Sequence, residues 1–384
     1  MKDQSVSSSR PRVLVVTASV GAGHRSAASA IVDSLRQQAG GIDVDCVDAL
    51  DFTPRAFRAY YAGGFAAAMS KFPRLYGLGF RLTDRPSGPR RSLVERRRLW
   101  CERLCLRRIA DYLRQVTPAL VVNTHFLPAA AIGRMIRRGQ IRTRQFVVVT
   151  DICVHRFWYS QNVEHWFVPS DESAEPLKRW GICKDNITVS GIPIHAKWTA
   201  PLDRAAILAD WRLPSGRKIV TLSGGTEFTC GPVTAFARGL LDACPDMHLV
   251  VLIGRNEKLG RKLSSFHEAG DRMTIVPFTD RAHEILEVSS LMITKPGGIT
   301  TAECLAKGTP MVLLSPVPGH EAGNASYLQR HGAAVIAPGD KHVAELVGRL
   351  LADEGELARI SSSARRLYRP ATQTIVNAIC RAVS

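Results

Sequence analysis

Glu303 follows the pair Gly297-Gly298 at the head of a helical pattern, with Thr300 between them, and His320, Glu321 and Asn324 close the same stretch. The segment Ile293 to Asn324 reads ITKPGGITTAECLAKGTPMVLLSPVPGHEAGN. Paired glycines let backbone N–H groups approach an anion, and a helix N-terminus adds partial positive charge. A glutamate one turn into that helix can accept hydrogen bonds from a ribose diol. Together these residue types describe a nucleotide-diphosphate site. They require a strand ending at Lys295, a helix starting at Thr300-Thr301, a second strand over Met311 to Leu314 and a polar loop beyond it.

Three further places could carry chemistry. His24 follows Gly21-Ala22-Gly23 at a strand-to-helix turn. A near-neutral pKa suits it to general-base work, and a helix-capping or phosphate-contacting role is the plainer alternative. Asp151 and His155 stand four apart after another strand. They could orient each other or an acceptor hydroxyl, or be an N-cap and a surface histidine. Ser223-Gly224-Gly225 could bring the backbone to a diphosphate or sugar, or simply make a tight turn. Ser26 stands where a GxGxxG fingerprint needs its third glycine, which argues against a nicotinamide enzyme. Asp43 and Asp45 imitate a D-x-D metal motif, but alternation puts both on the polar face of a strand. No metal is expected there.

The elements that must position these groups alternate between strands and helices. Strands are expected at Arg12–Thr17, Ile42–Val47, Ala119–Asn123, Gln145–Thr150, Trp166–Val168 and Ile187–Val189. After a linker over 196–216 they resume at Lys218–Leu222, His248–Ile253 and Thr274–Pro277, before the segment described first. The first helix is expected over Ser26 to Gln38. Most strands end in a glycine or polar loop, as parallel strands do at the rim of a binding crevice. The pattern predicts an α/β protein with two doubly wound domains, over 12–195 and 217–369. A polar tail over 1–11 precedes them, and a helix over 370–384 is placed to cross back to the first domain.

The stretch over 54–115 breaks the alternation. Phe57, Tyr61, Phe65, Met69 and Phe72 recur at three- and four-residue spacing, one stripe of a helix. Eleven arginines then fall between Arg81 and Arg114 against four acids, net +7. The chain of 384 residues carries a formal charge of +17, which calls for a polyanionic partner. Nucleic acid fits the charge, but no nucleic-acid module is present. A solvated basic helix over an aromatic core, or an interface with an anionic membrane, fits the stretch itself. Nine cysteines without a CxxC pair, no apolar run of the ~18 residues needed to span a bilayer and no signal-peptide core suggest a reducing, cytosolic setting.

With these motifs in hand, the chain resembles the glycosyltransferases that make glycosyldiacylglycerols, namely monogalactosyldiacylglycerol synthases and bacterial processive diacylglycerol glucosyltransferases. The resemblance runs from about residue 12 to 340. It rests on the order of GAGHRSAASAI (21–31), VVTDICVHRFW (148–158), WFVPSDES (166–173), VSGIPI (189–194), TKPGGITTAEC (294–304) and PGHEAGN (318–324). It implies a GT-B fold, UDP-glucose or UDP-galactose as donor, inversion at the anomeric carbon, a diacylglycerol acceptor and no cofactor. His24 would be the general base, with Asp151 filling or sharing that role. Gly297, Gly298 and Thr300 would hold the diphosphate, Glu303 the ribose, and Glu321 and Asn324 the sugar or phosphates, with Gly224 and Gly225 nearby. Gly23, His125, His155 and Trp158 would line the acceptor side. Phe65, Met69, Phe72, Arg90, Arg91, Arg96, Arg97 and Arg98 would dock on the inner face of the cell membrane.

Two departures from the family pattern bear on the donor. His320 stands where many relatives have glutamine, and Phe228 and Cys230 replace small residues in the second glycine loop. An N-acetylglucosaminyltransferase with a polyprenyl-linked acceptor, a UDP-sugar epimerase, a UDP-sugar sensor and a nucleic-acid-binding protein are the competing readings. Oligomeric state, acyl preference and the number of sugars added have no signature in the sequence.

Overall fold

The computed structural model describes residues 10–84, 92–226, 231–314 and 316–384. Arg85, Arg90 and Arg91 of the basic stretch, Phe228 and Cys230, and the tail through residue 9 lie outside the described residues. Twelve strands are described. The first sheet contains β1 (Arg12–Thr17), β2 (Asp43–Asp48), β3 (Leu120–Asn123), β4 (Arg144–Val148), β5 (His165–Val168) and β6 (Ile187–Val189). The second contains β7 (Lys218–Ser223), β8 (Met247–Gly254), β9 (Met273–Pro277), β10 (Leu291–Thr294), β11 (Met311–Leu313) and β12 (Ala334–Ile336). Their orders are β2-β1-β3-β4-β5-β6 and β12-β11-β10-β7-β8-β9, and every pairing is parallel. The expected two doubly wound domains are present.

The apolar runs explain the layering. Val13, Leu14, Val15 and Val16 are fully buried, as a strand covered on both faces must be. Val13 and Val15 pack into a core with Ile31 and Leu35 of the helix Gly23–Gln38. Leu14 and Val16 face the opposite core, with Ile109 and Leu113 of the helix Arg107–Val116. The second sheet divides in the same way, Val220 and Leu249 to one side and Ile219 and Val250 to the other.

Three features complete the outline of the expected elements. Strand β12, of three residues, is additional to the expected strands. The segment after β6 is not bare linker. It holds a helix, Arg204–Asp210, and its Trp198, Ile207 and Leu213 are buried in the second domain's core. The last helix, Ala371–Val383, places Ile375, Val376 and Ile379 in the first domain's core. Its Thr372 hydroxyl donates to the Ile194 carbonyl at 2.7 Å.

The stretch after β2 folds into four helices, Arg55–Lys71, Pro73–Thr83, Leu93–Cys105 and Arg107–Val116. Pro73 sits at the start of the second, where its missing N–H costs nothing. Ser92 caps the third by accepting from the Glu95 N–H at 3.1 Å.

Candidate active site

Each sheet reverses direction once, between β1 and β3 in the first domain and between β7 and β10 in the second. At such a switch point neighbouring loops diverge and leave a crevice beyond the strand ends. The motifs sit at these two points. Gly21 to His24 follows β1 and Thr124-His125 follows β3. Gly224-Gly225 follows Ser223 at the end of β7, and Lys295 to Gly298 follows β10.

The two crevices meet. A Cβ on Gly298 would overlap the Thr150 carbonyl oxygen, so only glycine allows this approach of the second domain to the first. A Cβ on Gly23 would lie 3.4 Å from the Ile299 side chain. The helices Gly23–Gln38 and Gly298–Lys307 thus start against each other, and neither has a side-chain cap. The first N–H groups of Gly298–Lys307 have no intrahelical acceptor, because Thr301 N–H is the first to bond back, to Gly297. With Gly297 and Thr300 flanking it, this terminus can receive a phosphate.

His24 is held beside it. Its Nδ1 lies 3.1 Å from the Thr124 carbonyl oxygen and 2.7 Å from the Thr150 hydroxyl. A carbonyl can only accept, so Nδ1 carries the proton and Nε2 keeps its lone pair. Burial holds the pKa of His24 below the ordinary histidine value, and the Asp151 charge works in the opposite direction. The imidazole is therefore neutral at pH 7, the state a base needs.

The other first-domain candidates divide. His125 is buried, accepts from the Leu127 N–H at 3.0 Å, and packs edge-on to His24 with ring centres 4.6 Å apart. His155 uses both nitrogens. Nδ1 accepts from the Phe157 N–H at 3.1 Å, and Nε2 faces the Phe80 carbonyl at 3.1 Å. Trp158 is buried, its ring centre 6.3 Å from that of His24. His125 and Trp158 build the wall behind His24, while His155 packs against Phe80 and Phe157.

In the second domain, Asn324 is fully buried. Its Oδ1 accepts from the Cys153 N–H and its Nδ2 donates to the Pro296 carbonyl, both at 3.0 Å. It ties the loop after β4 to the glycine turn. Glu321 lies 3.8 Å from Lys295 Nζ and accepts from the Val317 N–H at 3.3 Å. Lys295, which the motif reading passed over, stands beside Gly225, whose positive φ of 79° makes the turn after β7. His320 opens the helix His320–Arg330, and its Nδ1 lies 3.0 Å from the Tyr76 hydroxyl of the first domain.

Glu303 is half-buried, with no hydrogen bond seen to it among the described residues, and burial pushes its pKa up to about 8. A ribose diol donating to the ionised carboxylate would favour that form. Nucleotide binding should then release a proton and tighten as pH rises toward 8. Calorimetry in two buffers of different ionisation enthalpy reads this directly, and Glu303→Gln should abolish the linkage.

Of the residues expected to dock on a membrane, Arg98 alone among the described side chains departs from an exposed position. Arg98 turns inward, pairs with Glu102 at 2.8 Å and lies over the Phe157 ring at 4.0 Å. Phe57 and Tyr61 stack on each other against the first domain's core. Phe65 and Met69 fall on the helix Arg55–Lys71, but their side chains are outside the described set. Phe72, Arg96 and Arg97 are exposed. Of nine large apolar side chains exposed among the described residues, eight lie between Tyr60 and Trp100. They include Leu75, Leu78, Leu82, Leu93 and Val94, which an aromatic stripe does not reveal. Among the described residues no helix is long and apolar enough to cross a membrane.

Two Rossmann-like domains whose strand ends face across one cleft define the GT-B fold. Solved structures of that shape include S. aureus MnaA with UDP (TM-score 0.64, 15% identity, 96% of each chain). Acinetobacter baumannii MurG is similar at TM-score 0.61 and 16% identity, over 97% of this chain and 99% of that one. Residues 24–194 match the monogalactosyldiacylglycerol synthase family, and residues 235–366 match the glycosyltransferase family 28 C-terminal domain. Curated relatives named processive diacylglycerol beta-glucosyltransferase come from Bacillus mycoides (28% identical) and Bacillus cereus (29%), each over 94% of this chain and 90% of the relative. The chain thus carries a monogalactosyldiacylglycerol synthase domain followed by a glycosyltransferase family 28 C-terminal domain.

Proposed function

We propose that this chain transfers a hexose from its UDP donor to the free hydroxyl of diacylglycerol, with inversion and without a metal. The names of the curated relatives favour glucose over galactose. The observation that carries the reading is Thr150. Its hydroxyl meets His24 Nδ1, while its carbonyl receives Gly298 at the head of the uncapped helix. One residue thus joins the base to the anion site.

The reaction follows from that geometry. His24 Nε2 takes the proton of the acceptor hydroxyl as its oxygen bonds to the anomeric carbon. The bond from that carbon to the diphosphate oxygen breaks, and UDP leaves with the electron pair. The helix N-terminus and Lys295 stabilise the charge developing on UDP. Attack opposite the leaving group inverts the anomeric centre. The closed domains exclude water and limit donor hydrolysis.

The acceptor is a lipid, and the exposed leucines with Trp100, Arg96 and Arg97 supply an apolar, basic surface beside the cleft. Exchanging Leu78, Leu82 and Trp100 for serine together should cut binding to phosphatidylglycerol vesicles by ~10-fold or more. UDP affinity should stay within about twofold. Equal vesicle binding by that variant would remove these helices from the docking surface. The function itself is tested by UDP release from UDP-glucose on vesicles with and without diacylglycerol. Release that depends on diacylglycerol and survives chelation of metals supports the reading. Equal release from both vesicles means hydrolysis or another acceptor.

A further inference from the structure

The helix Pro73–Thr83 belongs to the first domain, yet one side of it is fitted to the second domain's donor loop. Gly77 receives Pro318 so closely that a Cβ would overlap the proline ring. Gly319, at φ 122°, lies where a Cβ would come within 2.9 Å of the Tyr76 ring and 3.3 Å of Phe80. These glycines let the helix reach His320, and the Tyr76 hydroxyl meets His320 Nδ1 at 3.0 Å. The end of the same helix holds the loop that carries Asp151 and His155. Phe80 O and Thr83 Oγ1 meet His155 Nε2 at 3.1 and 3.2 Å, and Asp84 accepts from the Arg156 N–H at 2.8 Å. Its remaining side shows Leu75, Leu78 and Leu82 to solvent.

From this geometry we infer that Tyr76 is a positioning residue that sets the orientation of His320 toward the donor sugar, so that sugar selectivity depends on a residue of the lipid-facing helix. The inference rests on the proposed UDP-hexose reading. Tyr76 holds its proton, because burial and the nearby Asp151 and Glu321 carboxylates raise its pKa. A protonated hydroxyl can donate to Nδ1 of the tautomer that carries its proton on Nε2. His320 then offers an N–H donor, where a glutamine amide would offer either a donor or an acceptor. Glucose and galactose differ in the direction of one hydroxyl, so the angle at which that donor is held governs discrimination.

The test is a double-mutant cycle on the full chain. Tyr76→Phe retains the ring packing and removes only the hydroxyl. It should lower kcat/KM with the preferred UDP-hexose by ~10-fold and narrow the ratio between UDP-glucose and UDP-galactose. Affinity for UDP, which lacks the sugar, should stay within about twofold. In a His320→Ala background the same change should have no further effect. An unchanged sugar ratio for Tyr76→Phe, or an equal loss in both backgrounds, would overturn the inference. Failure of the wild-type chain to use either UDP-hexose would overturn the functional reading instead, so the two failures are distinct.

Discussion

Replacing His24 with alanine lowers kcat/KM by ~100-fold or more while UDP affinity stays near that of the unaltered chain. The side chain does not belong to the nucleotide site. Its work is to take a proton, through Nε2, in an environment that keeps it neutral. Burial holds its pKa below 6.5, so protonation removes the base only on the acid side of that value. The pH profile of kcat/KM should therefore stay level from neutrality to about the ordinary histidine pKa and fall below it. Asp151 gives the decisive comparison, because its charge raises the His24 pKa. Asp151→Asn should move the acid limb to lower pH and leave substantial turnover. If Asp151 were the base, that variant would be the dead one and His24→Ala would retain a measurable rate.

Gly298→Ala should lower turnover by a comparable factor for a different reason. In an isolated helix the change is favourable by ~1 kcal/mol, since alanine is the better helix former. Here the added methyl meets the Thr150 carbonyl, backbone of the other domain. The domains must separate, or the helix must shift, by the order of an ångström. Misplacement of that size costs ~100-fold when it parts a base from the reacting centre. The prediction is thus a chain as thermally stable as before, or more so, that is more open by small-angle scattering and nearly inactive. Normal turnover would mean that catalysis does not use the closed contact between Thr150 and Gly298.

What the sequence revealed follows from what is local. Most strands of both sheets are bounded by a glycine or polar turn, so doubly wound order was legible. The positions of the glycine turn, Glu303 and the His24 turn were legible too, because each lies within one strand–turn–helix unit. Relations between distant segments were not. Nothing near residue 76 announces a hydroxyl that reaches residue 320, and nothing near Asn324 announces hydrogen bonds to Cys153 and Pro296. Charge alone grouped Arg98 with the surface arginines, whereas Glu102 and Phe157 draw it inward. The aromatic spacing of 57–72 left core and docking roles both open; Phe57 and Tyr61 pack on the core, while Phe72 and leucines of the next helix face solvent.

The central claim is that this cleft joins a hexose from UDP to diacylglycerol. Mass spectrometry of the lipids is the most direct test, after the purified chain is incubated with diacylglycerol in anionic vesicles and UDP-glucose or UDP-galactose supplied separately. The account predicts a hexosyl-diacylglycerol with UDP-glucose, absent from the His24→Ala incubation. A dihexosyl species would add processivity. Intact donor and unmodified diacylglycerol from both incubations, by a chain that binds UDP, would contradict it.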